Sequence, residues 1–90
     1  MKTYQLDIRL VRRQINRLPG HVRSRVKREI ASLTYQPRPT HAKELRDYPD
    51  TYCIRLDDYR IGYEIEDDIV LITVLKVGRK RGPKFYADIS

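Results

Sequence analysis

The sequence has little of what secreted, membrane-spanning or metal-binding proteins require. Its 90 residues include one cysteine, Cys53, so no disulfide can form within the chain. No basic and apolar leader precedes the first strand-like segment, and the longest apolar run, Ile69 to Leu75, is too short to span a membrane. The two histidines, His21 and His41, are isolated, and no set of Cys, His and carboxylate residues has metal-ligand spacing. These absences favour a cytoplasmic protein with no metal, no small-molecule cofactor and no membrane partner.

Positive charge, in contrast, is abundant. Nineteen Lys and Arg residues against twelve Asp and Glu give a net charge of +7 at pH 7, with a pI near 9.8. Such a balance predicts a polyanionic partner such as nucleic acid. A hydrophobic fraction of 40% predicts a folded chain, and the length predicts one domain over residues 1–90.

The first half of the sequence predicts a strand and two helices. Apolar and polar residues alternate from Tyr4 to Ile8, which is the period of a half-buried strand. Apolar residues then recur at helical spacing from Val11 to Leu18, where Pro19 breaks the pattern. A second helical pattern runs from Val22 to Leu33 and cannot continue past Pro37. Two helices joined this closely should form an antiparallel hairpin.

The second half of the sequence predicts a sheet. Apolar and polar residues alternate over Tyr52 to Leu56 and again over Tyr59 to Ile65. Ile69 to Val77 is apolar at nearly every position, which is typical of a central strand covered on both faces. Lys84 to Tyr86 is a candidate for a short final strand. The expected fold class is therefore α+β, with a strand, a helical hairpin and then an antiparallel sheet of three to four strands.

A pair of arginines is expected to meet across this sheet. If Asp57-Asp58 forms a two-residue turn, Arg55 lies directly opposite Arg60. Like charges in that position destabilise a sheet, so the pair makes most sense if an anion such as phosphate sits between the two side chains. Arginines on the solvent face of a sheet are also commonly just solvated, and the pair alone does not separate the two interpretations.

A second turn extends the expected register to the next strand. Treating Asp67-Asp68 as another two-residue turn places Gly62 opposite Thr73, which leaves a shallow floor beside the arginines for a substrate backbone. The same alternation aims Arg79 toward the side of Arg60.

The basic residues are concentrated toward the end of the chain. From Lys76 to Tyr86 there are five basic residues and no acidic one, whereas nine of the twelve acidic residues lie between Glu44 and Asp68. This segregation predicts a basic patch. Tyr86 could stack on a base or donate to a phosphate, although it could equally pack against the sheet.

Four stretches of the chain form a recognisable set: Lys43-Glu44-Leu45-Arg46, Tyr52 to Leu56, Asp58 to Ile65, and Val77-Gly78-Arg79-Lys80-Arg81 followed by Tyr86. Together they resemble the RelE branch of the RelE/ParE toxin superfamily, and the order of elements agrees along nearly the whole chain. The resemblance implies a microbial RNase-like fold and a type II toxin that enters the ribosomal A site, cuts mRNA there and is silenced by a cognate antitoxin.

The resemblance also implies a catalytic set. Arg55 falls where RelE-type toxins place a catalytic lysine, and Arg60 matches the arginine that holds the scissile phosphate. Lys80 falls at a catalytic arginine, with Arg79 and Arg81 as neighbours able to replace it, and Tyr86 matches the C-terminal tyrosine. Attack of a 2′-oxygen on the adjacent phosphate would give a 2′,3′-cyclic phosphate without a metal. The remaining basic residues of the tail are expected to bind RNA: Lys76, Arg79 and Lys84.

Two departures leave alternatives open. Cys53 stands where RelE has another active-site lysine, and Arg55 cannot accept a proton because the pKa of a guanidinium exceeds 12. The 2′-hydroxyl is then activated either by Tyr86 or, as we favour, by placement of the mRNA on the ribosome. The alternative functions are a ParE-like inhibitor of DNA gyrase and a non-catalytic basic module that binds RNA or the ribosome.

Overall fold

The computed structural model describes residues 3–79. Strand β1 is followed by a 3-10 turn and two helices, and four further strands complete a five-stranded sheet of order β1-β5-β4-β3-β2. β1 runs parallel to β5, whereas the other neighbouring strands are antiparallel. The expected α+β class is confirmed, and the predicted strand over Lys84 to Tyr86 lies outside the described residues. The elements are β1 (Gln5–Asp7), the 3-10 turn (Arg9–Val11), α1 (Arg12–Asn16), α2 (Gly20–Ser32), β2 (Ala42–Glu44), β3 (Thr51–Leu56), β4 (Tyr59–Glu66) and β5 (Leu71–Arg79).

The two helices follow the predicted pattern, although the first is shorter. α1 ends at Asn16, before Pro19, whose backbone is extended with ψ of 147°. The carbonyl of Pro19 accepts the first hydrogen bond of α2, from the backbone N–H of Arg23 at 2.8 Å. Proline suits this position because it starts a helix readily but cannot continue one. Neither helix in the described part of the chain is long and apolar enough to cross a membrane.

The hydrophobic core lies between the helices and one face of the sheet. The other face carries the alternate residues of each strand, and we call it the open face. The buried residues contributed by the helical half are Val11, Ile15, Val26, Ile30 and Leu33, and those contributed by the sheet are Ile54, Leu56, Ile61, Tyr63, Ile65, Ile72, Val74 and Val77.

The segment that joins α2 to β2 is tied to the sheet by tyrosines. Tyr63 is a fully buried residue, and its hydroxyl donates to the carbonyl of Pro37 at 2.8 Å. Burial raises the pKa of Tyr63 well above its usual range, so the hydroxyl remains a donor. Arg38 donates from Nε to the hydroxyl of Tyr52 at 2.9 Å and from Nη2 to the carboxylate of Asp67 at 2.7 Å. This segment is therefore anchored to both β3 and the β4–β5 turn.

The turn between β4 and β5 differs from the prediction. A four-residue turn over residues 67–70 replaces the two-residue turn expected at Asp67-Asp68, so Glu66 pairs with Leu71. Val70 takes a left-handed backbone conformation there, with φ of 54°. That conformation is unfavourable for a β-branched residue, so the local sequence does not predict a four-residue turn that ends at Val70.

A register shift farther along the same hairpin also departs from the prediction. Tyr63 pairs with Val74, but the residue before it, Gly62, pairs with Lys76 rather than with Leu75. Leu75 is therefore the extra residue of a β-bulge. The bulge turns both Val74 and Val77 toward the core, where they are 0% and 2% exposed. Burial of two valines three residues apart is the physical reason that simple alternation fails here.

Candidate nucleic-acid interface

The predicted arginine pair is present on the open face. Asp57-Asp58 forms a two-residue turn, with Asp57 at φ of 54°, and Arg55 lies directly opposite Arg60. Aspartate tolerates this left-handed conformation better than most residues. Both arginines alternate with core residues of their strands, so the hydrophobic core fixes the face that they share. The predicted pairing of β3 with β4 is confirmed.

The two arginines differ in their surroundings. Arg55 is exposed and makes no hydrogen bond or ion pair with the described residues. Arg60 is only 8% exposed, and its Nη1 donates to the carbonyls of Asp57 at 2.8 Å and Tyr59 at 3.0 Å. The sequence suggests that Arg60 lies on the solvent face of the sheet, and this is wrong: the side chain is largely buried, and its guanidinium braces the β3–β4 turn. Its Nε and Nη2 make no hydrogen bond to residues 3–79.

The floor beside the arginines has a different lining from the one predicted. Gly62 lies opposite Lys76 rather than Thr73, and Arg60 lies opposite Gly78. A side chain built at Gly78 would meet nothing within 4 Å, so the surface next to Arg60 is open. The β-bulge thus brings Lys76 onto the same face as the arginine pair, where the sequence predicts an RNA contact. That role stays a prediction.

Arg79 does not lie where the sequence placed it. It pairs with Tyr59, and its guanidinium carbon stands 5.7 Å from the centre of the Tyr59 ring. Tyr59 shares its face with the core residue Ile54, so Arg79 is on the helix side of the sheet rather than beside Arg60. The expected placement is wrong because the bulge reverses the alternation of β5 after Val74.

The charges on the open face are divided between its two ends. The two acidic residues of β4, Glu64 and Glu66, are at the end remote from the arginine pair. Glu64 lies opposite Thr51 and Thr73. Asp57 is close to Arg60 in sequence, but its carboxylate pairs with Arg25 of α2 at 2.7 Å, on the helix side. A polyanion would therefore meet net positive charge at the β3–β4 turn and repulsion at the other end.

Half of the predicted site residues fall beyond the described part of the chain. The predictions made for them stay predictions, and these residues are Lys80, Arg81, Lys84 and Tyr86. Within residues 3–79, no three His, Cys, Asp or Glu side chains are grouped so that they could hold a metal ion.

The structure adds one basic residue that the sequence analysis did not select. Lys43 lies in β2 directly opposite Cys53 of β3, and therefore on the open face. β2 is only three residues long and has no alternating apolar pattern. The local sequence therefore does not predict the pairing that places Lys43 on the same face as the arginines.

Comparisons with known proteins agree over most of the chain. A family model described as the ParE toxin of the type II toxin-antitoxin system parDE matches residues 7–82. The mRNA interferase toxin RelE of Escherichia coli (strain K12) is 31% identical over 74 residues, which cover 80% of this chain and 77% of that protein. Toxin RelE3 of Methanocaldococcus jannaschii is 30% identical over 63 residues, which cover 66% and 72%.

Solved structures are similar in fold as well as in sequence. A mutant of the E. coli toxin RelE in the free state matches with a TM-score of 0.80 and 27% identity, over 97% of this chain and 94% of that chain. The archaeal RelE-RelB complex from Pyrococcus horikoshii OT3 matches with a TM-score of 0.77 and 29% identity, over 90% and 98%.

Proposed function

The chain belongs to the RelE/ParE superfamily of toxins from type II toxin-antitoxin systems, and from this premise we propose that it is a RelE-like endoribonuclease that cleaves mRNA in the ribosomal A site and so inhibits translation. The observation that carries the proposal is the pair of arginines directly opposite each other on the open face. Arg60 braces the β3–β4 turn, but the fold gains nothing from a second arginine placed opposite it, whereas two planar donors suit the oxygens of one phosphate. Residues 1–90 act as one toxin domain in this proposal.

The arginine pair supplies charge stabilisation rather than bond-making groups. Attack of the 2′-oxygen on the adjacent phosphorus forms a pentavalent phosphorane, and departure of the 5′-oxygen leaves a 2′,3′-cyclic phosphate and a 5′-hydroxyl. Arg60, held by two backbone carbonyls, presents its remaining donors in a fixed direction. Arg55 adds a second charge to the growing negative charge on the phosphorane. Preorganised donors of this kind stabilise a transition state without a metal.

Proton transfer needs groups other than the arginine pair, since neither guanidinium can accept a proton at neutral pH. Placement of the mRNA on the ribosome, with its 2′-oxygen in line with the scissile bond, is the main source of activation in this proposal. Lys80 or Arg81 assists the leaving oxygen, and Tyr86 stacks on a base or donates to the phosphate. These three roles rest on the resemblance of the sequence to RelE-type toxins.

The proposed partner is a cognate antitoxin. Solved complexes of RelE with RelB from E. coli and from P. horikoshii support this, because both have the fold described here. An acidic or amphipathic segment lying over the basic surface would cover the arginine pair and exclude RNA.

A second candidate function is inhibition of DNA gyrase without any chemistry, which the match to a ParE family model favours. Purified protein added to a translating extract separates the candidates. Cuts within ribosome-bound mRNA support the proposal. Loss of gyrase supercoiling with intact mRNA supports the second candidate, and arrested translation with intact mRNA and active gyrase indicates a binding module without nuclease activity.

A further inference from the structure

An open groove lies at the end of the sheet next to the β3–β4 turn. β1 pairs with β5 only as far as Thr73, so the rest of that edge of β5 has no strand partner among residues 3–79. Gln14 of α1 covers part of the edge, since its Oε1 accepts a hydrogen bond from the backbone N–H of Val77 at 2.7 Å. From Val77 onward the edge borders a groove of about 640 Å³, which is within the range of sites that hold small ligands.

Arg17, Tyr59 and Arg79 line this groove, which we call the end groove. Both arginines are exposed, and neither guanidinium makes a hydrogen bond or ion pair with the described residues. The guanidinium carbon of Arg79 stands 5.7 Å from the centre of the Tyr59 ring, which attracts the cation without neutralising its charge. Guanidinium groups whose donors are unused in this way suit the oxygens of a phosphate.

No acidic residue from the described part of the chain lines the end groove. Asp57 and Asp58 are close in sequence to Tyr59, but they line a separate pocket that shares only Tyr59 with the groove. The carboxylate of Asp57 is also engaged by Arg25 at 2.7 Å. An anion in the end groove would therefore meet positive charge without a carboxylate in the lining to repel it.

The end groove adjoins the arginine pair through two residues. The backbone carbonyl of Tyr59 accepts a hydrogen bond from Nη1 of Arg60 at 3.0 Å, and the same tyrosine lines the groove. Gly78 lies opposite Arg60 and lines the groove as well. The groove and Arg60 are thus at the same end of the sheet, one on the helix side and the other on the open face. A single phosphate cannot occupy both places, because the sheet lies between them.

We propose that the end groove is a second subsite for RNA, in which Arg17 and Arg79 hold a backbone phosphate other than the one between Arg55 and Arg60. The proposal rests on the proposed function, because it takes RNA to be the anion. It gives Arg17 a role in binding, and it gives Arg79 an RNA contact on the helix side of the sheet. The phosphate belongs to the message or to ribosomal RNA, which present the same chemistry to an arginine.

A simpler explanation of Arg17 is that it is only solvated, as surface arginines commonly are. Arg28 of α2 provides the comparison, since it is also exposed and makes no hydrogen bond or ion pair with the described residues. Solvation alone predicts that removing either charge affects RNA binding equally. A subsite in the end groove predicts a larger effect at Arg17.

The test compares Arg17→Gln with Arg28→Gln in two binding assays, each at several salt concentrations. In the first assay, anisotropy reports the affinity for a fluorescein-labelled 2′-O-methyl RNA oligonucleotide, which cannot react through its 2′-oxygen. In the second, co-sedimentation reports the affinity for ribosomes programmed with a message that carries 2′-O-methyl groups in the A-site codon. Arg17→Gln should weaken binding by about three- to tenfold at low salt and lower the salt slope by about 0.7 for a single strand or about 0.9 for a duplex, the values for one phosphate contact. Arg28→Gln should change neither quantity, and Arg17→Lys should keep the wild-type slope because it keeps the charge.

The two assays also identify the source of the phosphate. A loss with the free oligonucleotide assigns it to the message, and a loss on ribosomes alone assigns it to ribosomal RNA. An unchanged salt slope of Arg17→Gln in both assays, or an equal loss in Arg28→Gln, would overturn the subsite. Failure of the proposed function looks different, because a wild type that binds programmed ribosomes without cutting an unmodified message can still bind through Arg17. Thermal unfolding of each variant confirms that it is folded, as expected for a substitution at an exposed residue.

Discussion

Replacing Arg55 with alanine should slow RNA cleavage without weakening the fold. The side chain is exposed and makes no hydrogen bond or ion pair with the described residues, and its loss also removes a like charge opposite Arg60. The free energy of unfolding should therefore change by less than about 0.5 kcal/mol. Loss of one charged donor to a transition state costs about 2–4 kcal/mol. That loss corresponds to cleavage roughly 30- to 1000-fold slower at 1.36 kcal/mol per tenfold.

Arg60→Ala is the informative contrast, because Arg60 has both a structural and a proposed chemical role. Its Nη1 donates to the carbonyls of Asp57 and Tyr59, at 2.8 and 3.0 Å, and both hydrogen bonds are lost with the side chain. We expect the free energy of unfolding to fall by about 2–3 kcal/mol, since hydrogen bonds from a charged donor are among the stronger ones. Cleavage should fall at least as far as in Arg55→Ala.

The assay pairs single-turnover cleavage on ribosomes programmed with a defined mRNA with urea unfolding of the same preparations. Arg28→Ala on α2 is the matched control, because Arg28 is exposed and also makes no hydrogen bond or ion pair with the described residues. Wild-type cleavage by Arg55→Ala would refute the reasoning. So would an equal loss in Arg28→Ala, since net charge alone would then explain the effect.

The remaining predictions concern the stability of the fold and are checked by urea or thermal unfolding. Tyr63→Phe removes the 2.8 Å hydrogen bond to Pro37 and should cost about 1 kcal/mol, so an unchanged unfolding midpoint would contradict that role. Hydrogen bonds from Arg9 lower the pKa of Asp7 from 3.8 to about 2. Because the folded-state pKa is depressed, the stabilisation is complete above pH 3.8 and is lost as the pH falls through about 2, and Asp7→Asn should flatten that part of the stability profile. Val70→Gly should raise stability by up to about 1 kcal/mol, because glycine adopts the φ of 54° without strain, and a lower melting temperature would contradict this.

The pairing of β3 with β4 could be predicted because two simple signals agree. Both strands alternate apolar and polar residues, and a two-residue polar turn leaves a single register that buries Ile54 and Ile61 together. The facing arginines follow directly from that register. Sequence reasoning succeeds wherever one short turn and one buried face determine the geometry.

The pairing of β5 could not be predicted in the same way. A nearly continuous apolar strand does not indicate which of its residues face the core, and the extra residue Leu75 reverses the alternation partway along. The positions of Lys76 and Arg79 depend on that reversal. The sequence therefore did not predict that Lys76 lies on the open face, and it predicted the wrong face for Arg79.

Two further features of the site depend on packing that a local pattern does not reveal. Arg60 is largely buried, with nearby backbone carbonyls accepting its hydrogen bonds, whereas an arginine in a sequence is normally expected to be solvated. Lys43 reaches the open face through a three-residue edge strand that has no periodicity to detect.

The central claim is that the open face promotes attack by a 2′-oxygen of ribosome-bound mRNA. The most direct measurement compares two messages on programmed ribosomes, one all-ribose and one with a single 2′-deoxyribose at the nucleotide where the all-ribose message is cut. We predict a 2′,3′-cyclic phosphate end from the first message and no cut at that position in the second. Cleavage of the deoxy-substituted message at the same position would contradict the claim.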